Sequence, residues 1–132
     1  MDKMNASELL LYSTIRIECE CRDGISTGTG FFFQFLEREE SSVPVIVTNK
    51  HVIKNAIIGK LRFSLRESNG EIVKGKFCEY RLDRFESRWI HHPDNNVDLC
   101  ILPIASICEE LLSKGYNILC TYCNVDMIPT QH

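Results

Sequence analysis

From Thr14 onward the chain alternates, with Ile15, Ile17, Cys19 and Cys21 separated by Arg16, Glu18, Glu20 and Arg22. Successive side chains of a strand point to opposite faces, so this alternation predicts a strand with one buried face. Asp23-Gly24 marks the turn that ends it. Gly28 and Gly30 read as a bend opening an aromatic strand from Phe31 to Leu36, and the polar EREESS stretch leads through Pro44 to a strand from Val45 to Thr48. A fourth strand is expected over about residues 60–66, with Leu61, Phe63 and Leu65 on one face. Asn69-Gly70 predicts a tight hairpin turn, because such turns need positive φ, and the returning strand covers about residues 71–80.

After a charged loop over 81–88, the run DLCILPI reads as a fully buried strand that ends near Pro103. Ser106 and Glu109 form an S-x-x-E capping box for a helix over about 106–115, closed by Gly115, with Ile107 and Leu111 as its apolar stripe. The first dozen residues predict a short helix that docks Leu9, Leu10 and Leu11. Six short strands between turn signals give an all-β class: a small antiparallel barrel or sandwich with a helical tail. There is no internal repeat, and 132 residues fit one domain, 1–132.

Composition narrows the setting more than the chemistry. The formal charge of -3 shows no basic excess, so nucleic acid is not an expected partner. No apolar run approaches the ~20 residues of a membrane helix, and Asp2 and Glu8 make the start a poor signal peptide. Seven cysteines is an odd number, which argues against a fully paired disulfide framework and for thiols in the cytoplasm.

The candidate chemistry lies in two stretches, GTGFFFQF followed by VIVTNKHVI, and WIHHPDNNVDLCILPI. Together they resemble the first barrel of trypsin-like serine peptidases, in particular the bacterial and intracellular branch without disulfides. The resemblance covers about residues 15–104. It implies a six-stranded antiparallel Greek-key barrel over about 14–104, with a catalytic histidine at His51 and its aspartate at Asp98. The separation of the two leaves room for the two barrel strands that the family requires. The chemical logic is independent of the family: imidazole has a pKa near neutrality, so it can take a hydroxyl proton, and a carboxylate on its other nitrogen fixes the tautomer. Asp94, in the turn-like PDNN, is a rival carboxylate that loop chemistry already explains.

One part of the family's pattern has no counterpart here. The nucleophilic serine of such enzymes lies in a second barrel, in a G-x-S-G-type loop that also forms the oxyanion hole, and nothing in this chain matches it. The expectation is therefore the N-terminal half of a serine endopeptidase domain, inactive alone, acting on protein or peptide substrates once joined to a second barrel on this or another polypeptide. It needs no cofactor or metal. Its uncovered apolar face is expected to drive self-association. The alternative is a non-catalytic binding or scaffold module of the same shape.

Four weaker signals point elsewhere. Gly24-Ile-Ser26-Thr-Gly28 matches the G-x-S-x-G elbow, but that motif needs a strand-to-helix turn, and here a β-turn is expected. Cys19-x-Cys21 with Cys120-x-x-Cys123 has the residues of a zinc-stabilised small domain, though buried cysteine explains them better. His91-His92 is a ligand-like pair better read as structural or as a cleft rim. Phe31 to Phe33 could stack a ligand, but aromatics on a strand are more commonly core.

Overall fold

The structure, a computed structural model, describes residues 13–38, 41–67, 69 and 71–118. They form strands β1 (Thr14–Cys21), β2 (Gly24–Arg38) and β3 (Ser41–Thr48), a one-turn helix α1 (Lys50–Ile53), and strands β4 (Ile58–Arg66) and β5 (Ile72–Asp83). A 3-10 turn (Glu86–Arg88), β6 (Ile90–His91), β7 (Cys100–Pro103) and helix α2 (Ala105–Ser113) complete them. The fold is all-β, one antiparallel sheet in the order β5-β4-β1-β2-β3-β7-β6. The expected N-terminal helix lies outside the described residues.

The expected six strands are all present, and a seventh, β6, adds two exposed residues to the outer edge of β7. The other six strands send Ile17, Phe32, Ile46, Phe63, Leu82 and Leu102 into one buried cluster. Phe32 of β2 stacks on Phe63 of β4 with ring centroids 6.1 Å apart, although β1 lies between these strands in the sheet. The sheet therefore curls round its core, as twisted sheets do. It does not close: among the described residues no ladder joins β5 to β7. Side chains span that seam instead, with Tyr80 of β5 donating to the Glu110 carboxylate on α2. Beyond α2 the chain returns to the end of β4, where Leu65 bridges Ile118 and Arg66 N–H donates to the Asn117 carbonyl.

Several boundaries move, each for a packing reason. Gly28 and Gly30 do not form a bend, because β2 runs unbroken from Gly24. A Cβ on Gly28 would sit 2.5 Å from Val52 Cγ1 and one on Gly30 2.6 Å from Ile46 Cγ2, so both glycines admit a close neighbour. The first turn is Arg22-Asp23, and Gly24, at φ 142, pairs with Cys21. The β4–β5 turn is wider than a two-residue Asn-Gly loop: the last pair is Arg66 with Ile72, and Glu67 N–H donates to the Glu71 carbonyl. β5 then continues to Asp83 through what reads as loop in the sequence.

The capping box is not used. Helix α2 begins at Ala105, one residue early, and its N-cap is Ile104, which makes no side-chain cap bond. Ile104 is fully buried and donates its N–H to the Pro44 carbonyl, so core packing, not Ser106, sets the helix start. Gly115, at φ 91, does end it, with Tyr116 N–H returning to the Leu111 carbonyl. The DLCILPI run is not buried on both faces either. Cys100, Leu102 and Ile104 point inward, while Leu99 is 42% exposed.

Gly59 gives the most direct test of this packing. A Cβ there would lie 2.3 Å from the buried Phe85 ring. Gly59→Ala should cost about 1–3 kcal/mol through overpacking, read as a lower urea midpoint at unchanged slope; an unaltered midpoint would show that the ring has room to move.

Candidate functional site

Register brings the two candidate residues together. β3 pairs antiparallel with β7 so that Thr48 lies opposite Cys100. His51 follows the first by three residues and Asp98 precedes the second by two, so both fall on the same rim of the sheet. Thr48 is buried and donates its hydroxyl to the Thr29 carbonyl on β2, which anchors the end of β3. One turn of helix follows. Ile53 enters the core and Val52 presses on Gly28, so His51, between these anchors and the strand, is left facing outward with its side chain 71% exposed.

Asp98 grips His51 twice. Its Oδ2 lies 2.5 Å from His51 Nδ1, and its Oδ1 accepts the His51 backbone N–H at 3.1 Å. The hydrogen bond from the imidazole is the main reason the Asp98 carboxyl is held below its usual range; desolvation opposes it, and the His51 backbone N–H, the His51 charge and the Lys50 backbone N–H add to the lowering. Asp98 is therefore ionised at neutral pH, and an ionised carboxylate only accepts. Nδ1 must carry the proton, which leaves Nε2 of the neutral ring with its lone pair. A ring held this way has the geometry that a general base requires. Among the described residues no serine hydroxyl hydrogen-bonds to it.

The loop carrying Asp98 is organised from within. Asp94 does the turn work expected of it, its carboxylate accepting Asn96 N–H at 2.9 Å and its carbonyl accepting Val97 N–H. His92 N–H donates to the Leu99 carbonyl, and His92 Nδ1 accepts Asp94 N–H. His91 pairs with Cys100 in the sheet. Ser26 lies within β2 opposite Cys19, neither in a β-turn nor before a helix, so the elbow geometry is absent. Cys19 is buried, which pushes its thiol up to about 11, and it donates to the Val52 carbonyl. Cys120 and Cys123 lie outside the described residues, and no metal-type cluster occurs among the described ones.

An apolar groove of about 650 Å³ starts at Leu99, next to Asp98 in the chain, and is lined by Phe31 and Phe33 of β2, Val47 of β3, Ile90 of β6, and Leu99 and Ile101 before and on β7. Phe32 belongs to the core as expected, but Phe31 is 48% exposed. The sequence carried a signal for this outer face: FFF and LCILPI are apolar at both parities, so the side turned away from the core is apolar as well.

Compared with known proteins, the chain matches no family model, no curated protein and no solved structure. The site is thus read from its own geometry. Among the described residues no helix is long and apolar enough to cross a membrane.

The Asp98 interaction has a definite pH signature. Its folded-state pKa is depressed, so the stability it contributes is present above the unfolded value of about 3.9 and is lost as pH falls through the lower folded value. Asp83 and Glu110 are depressed too, by Arg88 and by Tyr80 with Lys114, so acid sensitivity alone is not diagnostic. The difference between wild type and Asp98→Asn is. In thermal melts from about pH 7 to about pH 2 that difference should shrink to nothing at the acid end; a difference that does not vary with pH would mean that Asp98 is unpaired in solution.

Proposed function

We propose that this chain is the His- and Asp-bearing barrel of a trypsin-like serine endopeptidase that cleaves protein or peptide substrates by acyl-enzyme chemistry. The reading rests on the His51–Asp98 contact at the ends of two paired strands. In it, a serine from a second barrel, on the same polypeptide or another chain, gives its hydroxyl proton to His51 Nε2 as its oxygen attacks the peptide carbonyl. His51 then returns that proton to the leaving amine, and Asp98 holds the ring and stabilises the imidazolium. The oxyanion donors come from the second barrel as well.

The six-stranded Greek-key barrel belongs to the same proposal. It is supported by the neighbour order β5-β4-β1-β2-β3-β7-β6, in which a barrel would close where β5 meets the far edge formed by β6 and the end of β7. Tyr80 and Leu82 of β5 share a cavity of about 330 Å³ with Leu102 and Pro103 of β7 and Ile107 of α2, so the two strands already flank one space. A cytoplasmic setting fits the free thiols at Cys19, Cys21, Cys78 and Cys100.

The decisive experiment uses a fluorophosphonate probe, which reacts only with an activated serine. The chain alone should stay unlabelled. A polypeptide carrying the further on the order of 100 residues of a second barrel should be labelled at a serine in a G-x-S-G loop, and His51→Ala should abolish the labelling. Labelling that survives His51→Ala, or no such serine in the natural protein, would leave the scaffold module as the better reading.

The apolar groove is the face proposed to meet other protein. Covering half-exposed Phe31, Ile90 and Leu99 yields on the order of 1 kcal/mol each, against roughly 4–15 kcal/mol of lost rigid-body freedom on association. Self-association of the isolated chain should therefore be weak. Sedimentation velocity over a rising concentration series should show a reversible dimer only at the high end, and Ile90→Lys should remove it; a monomer throughout would count against the groove as a contact face.

A further inference from the structure

His51 sits on a pinned helical turn, but its partner does not. Asp98 lies in the stretch between β6 and β7 that has no regular structure, and it is exposed. A carboxylate in such a loop meets an imidazole productively only if the loop is held to within about 0.5 Å. The internal bonds around Asp94 shape the loop, and the His92 N–H bond to the Leu99 carbonyl closes its base beside the β6–β7 pair. What ties it across to the helical turn is His51 and the two residues immediately before it.

Asn49 Nδ2 donates to the Asp98 carbonyl at 2.9 Å. Lys50 Nζ donates to two carbonyls of the same loop, His92 at 2.9 Å and Asp94 at 3.2 Å. His51 itself takes the Asp98 carboxylate through both its backbone N–H and its ring. Three consecutive residues thus hold both ends of one loop: Asn49 and His51 at Asp98, and Lys50 at its start. Lys50 spends its ammonium on backbone carbonyls, an arrangement that draws in a loop apex whose carbonyls would otherwise face water.

We propose that Lys50 and Asn49 are positioning residues, a clamp that holds the 92–98 loop where Asp98 meets His51. The proposal rests on the catalytic reading of that pair and adds the residues through which it is assembled. The clamp acts on the carbonyl framework, so it works whether or not substrate is present. Replacing either residue removes one tether of the loop and leaves buried Thr48 and Ile53 and partly buried Val52, which anchor the turn, untouched.

The test is proton NMR of the chain itself, following the downfield resonance of the hydrogen-bonded His51 Nδ1 proton, together with a carbon-13 titration of the Asp98 carboxyl. Lys50→Met and Asn49→Ala should each speed solvent exchange of the Nδ1 proton by about tenfold or more, the scale on which outer partners of a site act. Each should also move the Asp98 titration up towards the ordinary carboxylate value. Lys50→Arg, which keeps donors and charge, should restore the slow exchange. Asn49→Ala removes no charge, so its effect separates clamping from simple attraction between Lys50 and Asp98.

If Lys50→Met alone shifts the titration and the Nδ1 proton stays slow in every variant, the clamp is refuted while the pair survives. If only the melting temperature falls, with exchange and titration unchanged, the two residues are merely structural and the proposal is overturned. If wild type shows no downfield proton and an ordinary Asp98 titration, the clamp holds nothing, and the catalytic reading fails with it. Should Lys50→Met not fold, Asn49→Ala and Lys50→Arg still carry the comparison.

Discussion

The antiparallel ladder between β3 and β7 is the constraint from which the site follows. These strands are far apart in sequence, and nothing local obliges Thr48 to lie opposite Cys100. Once it does, the two chain segments leaving that rim are neighbours, and a side chain three residues past one strand can reach one two residues before the other. A slip of one residue would turn the inward set Ile46, Cys100 and Leu102 towards solvent. The core therefore holds the register, and the register holds the site. Cys100 shows the coupling directly: burial, with a further push from the nearby Asp98 charge, raises its thiol to about 11, and that thiol donates to the Thr48 carbonyl at the pairing position.

The same ladder gives β7 two working faces. Inward, it closes the hydrophobic cluster. Outward, Leu99 and Ile101 continue the apolar strip begun by Phe31 and Phe33 on β2 and Val47 on β3. β6 lies along the outer edge with no buried residue of its own, and Ile90 extends the strip. A strand with one wet face would have alternated. This run of residues keeps apolar character on both faces: one is covered by this chain's core, and the other is left partly exposed at Phe31, Ile90 and Leu99.

How much of this was legible depended on whether the information was periodic. The alternation in β1 and β4 gave the strand positions and inward residues directly: Ile15, Ile17, Cys19, Leu61 and Phe63 are buried, and only Cys21 and Leu65 at the strand ends are partly so. The all-β class followed. Features set by contact at a distance were not readable. Gly28 looks like a bend until Val52 is seen to occupy the space above it, and the start of α2 looks like Ser106 until buried Ile104 is seen to set it. The seventh strand has only two residues, too short for any period. At the site, His51 and Asp98 could be picked out through the resemblance, whereas Asn49 and Lys50 carried no signal: two polar residues in T-x-x-H are unremarkable until the carbonyls that accept from them are found on the opposing loop.

Exposure of the pair is the remaining physical issue, and it connects the two faces of the argument. With His51 71% exposed, water competes for Nε2 and screens the attraction between imidazolium and carboxylate. A general base of this kind becomes effective where water is excluded and the developing charge meets fixed partners. The groove begins at Leu99, the residue next to Asp98 in the chain. On the proposed reading, protein that covered Leu99, Ile90 and Phe31 would also approach the Asp98 loop and exclude water from the pair. A tethered cover would escape most of the association cost that keeps the isolated chain's contacts weak, because linkage turns the encounter into an intramolecular one. On the proposed reading, then, hydrophobic burial and activation of the base are one event.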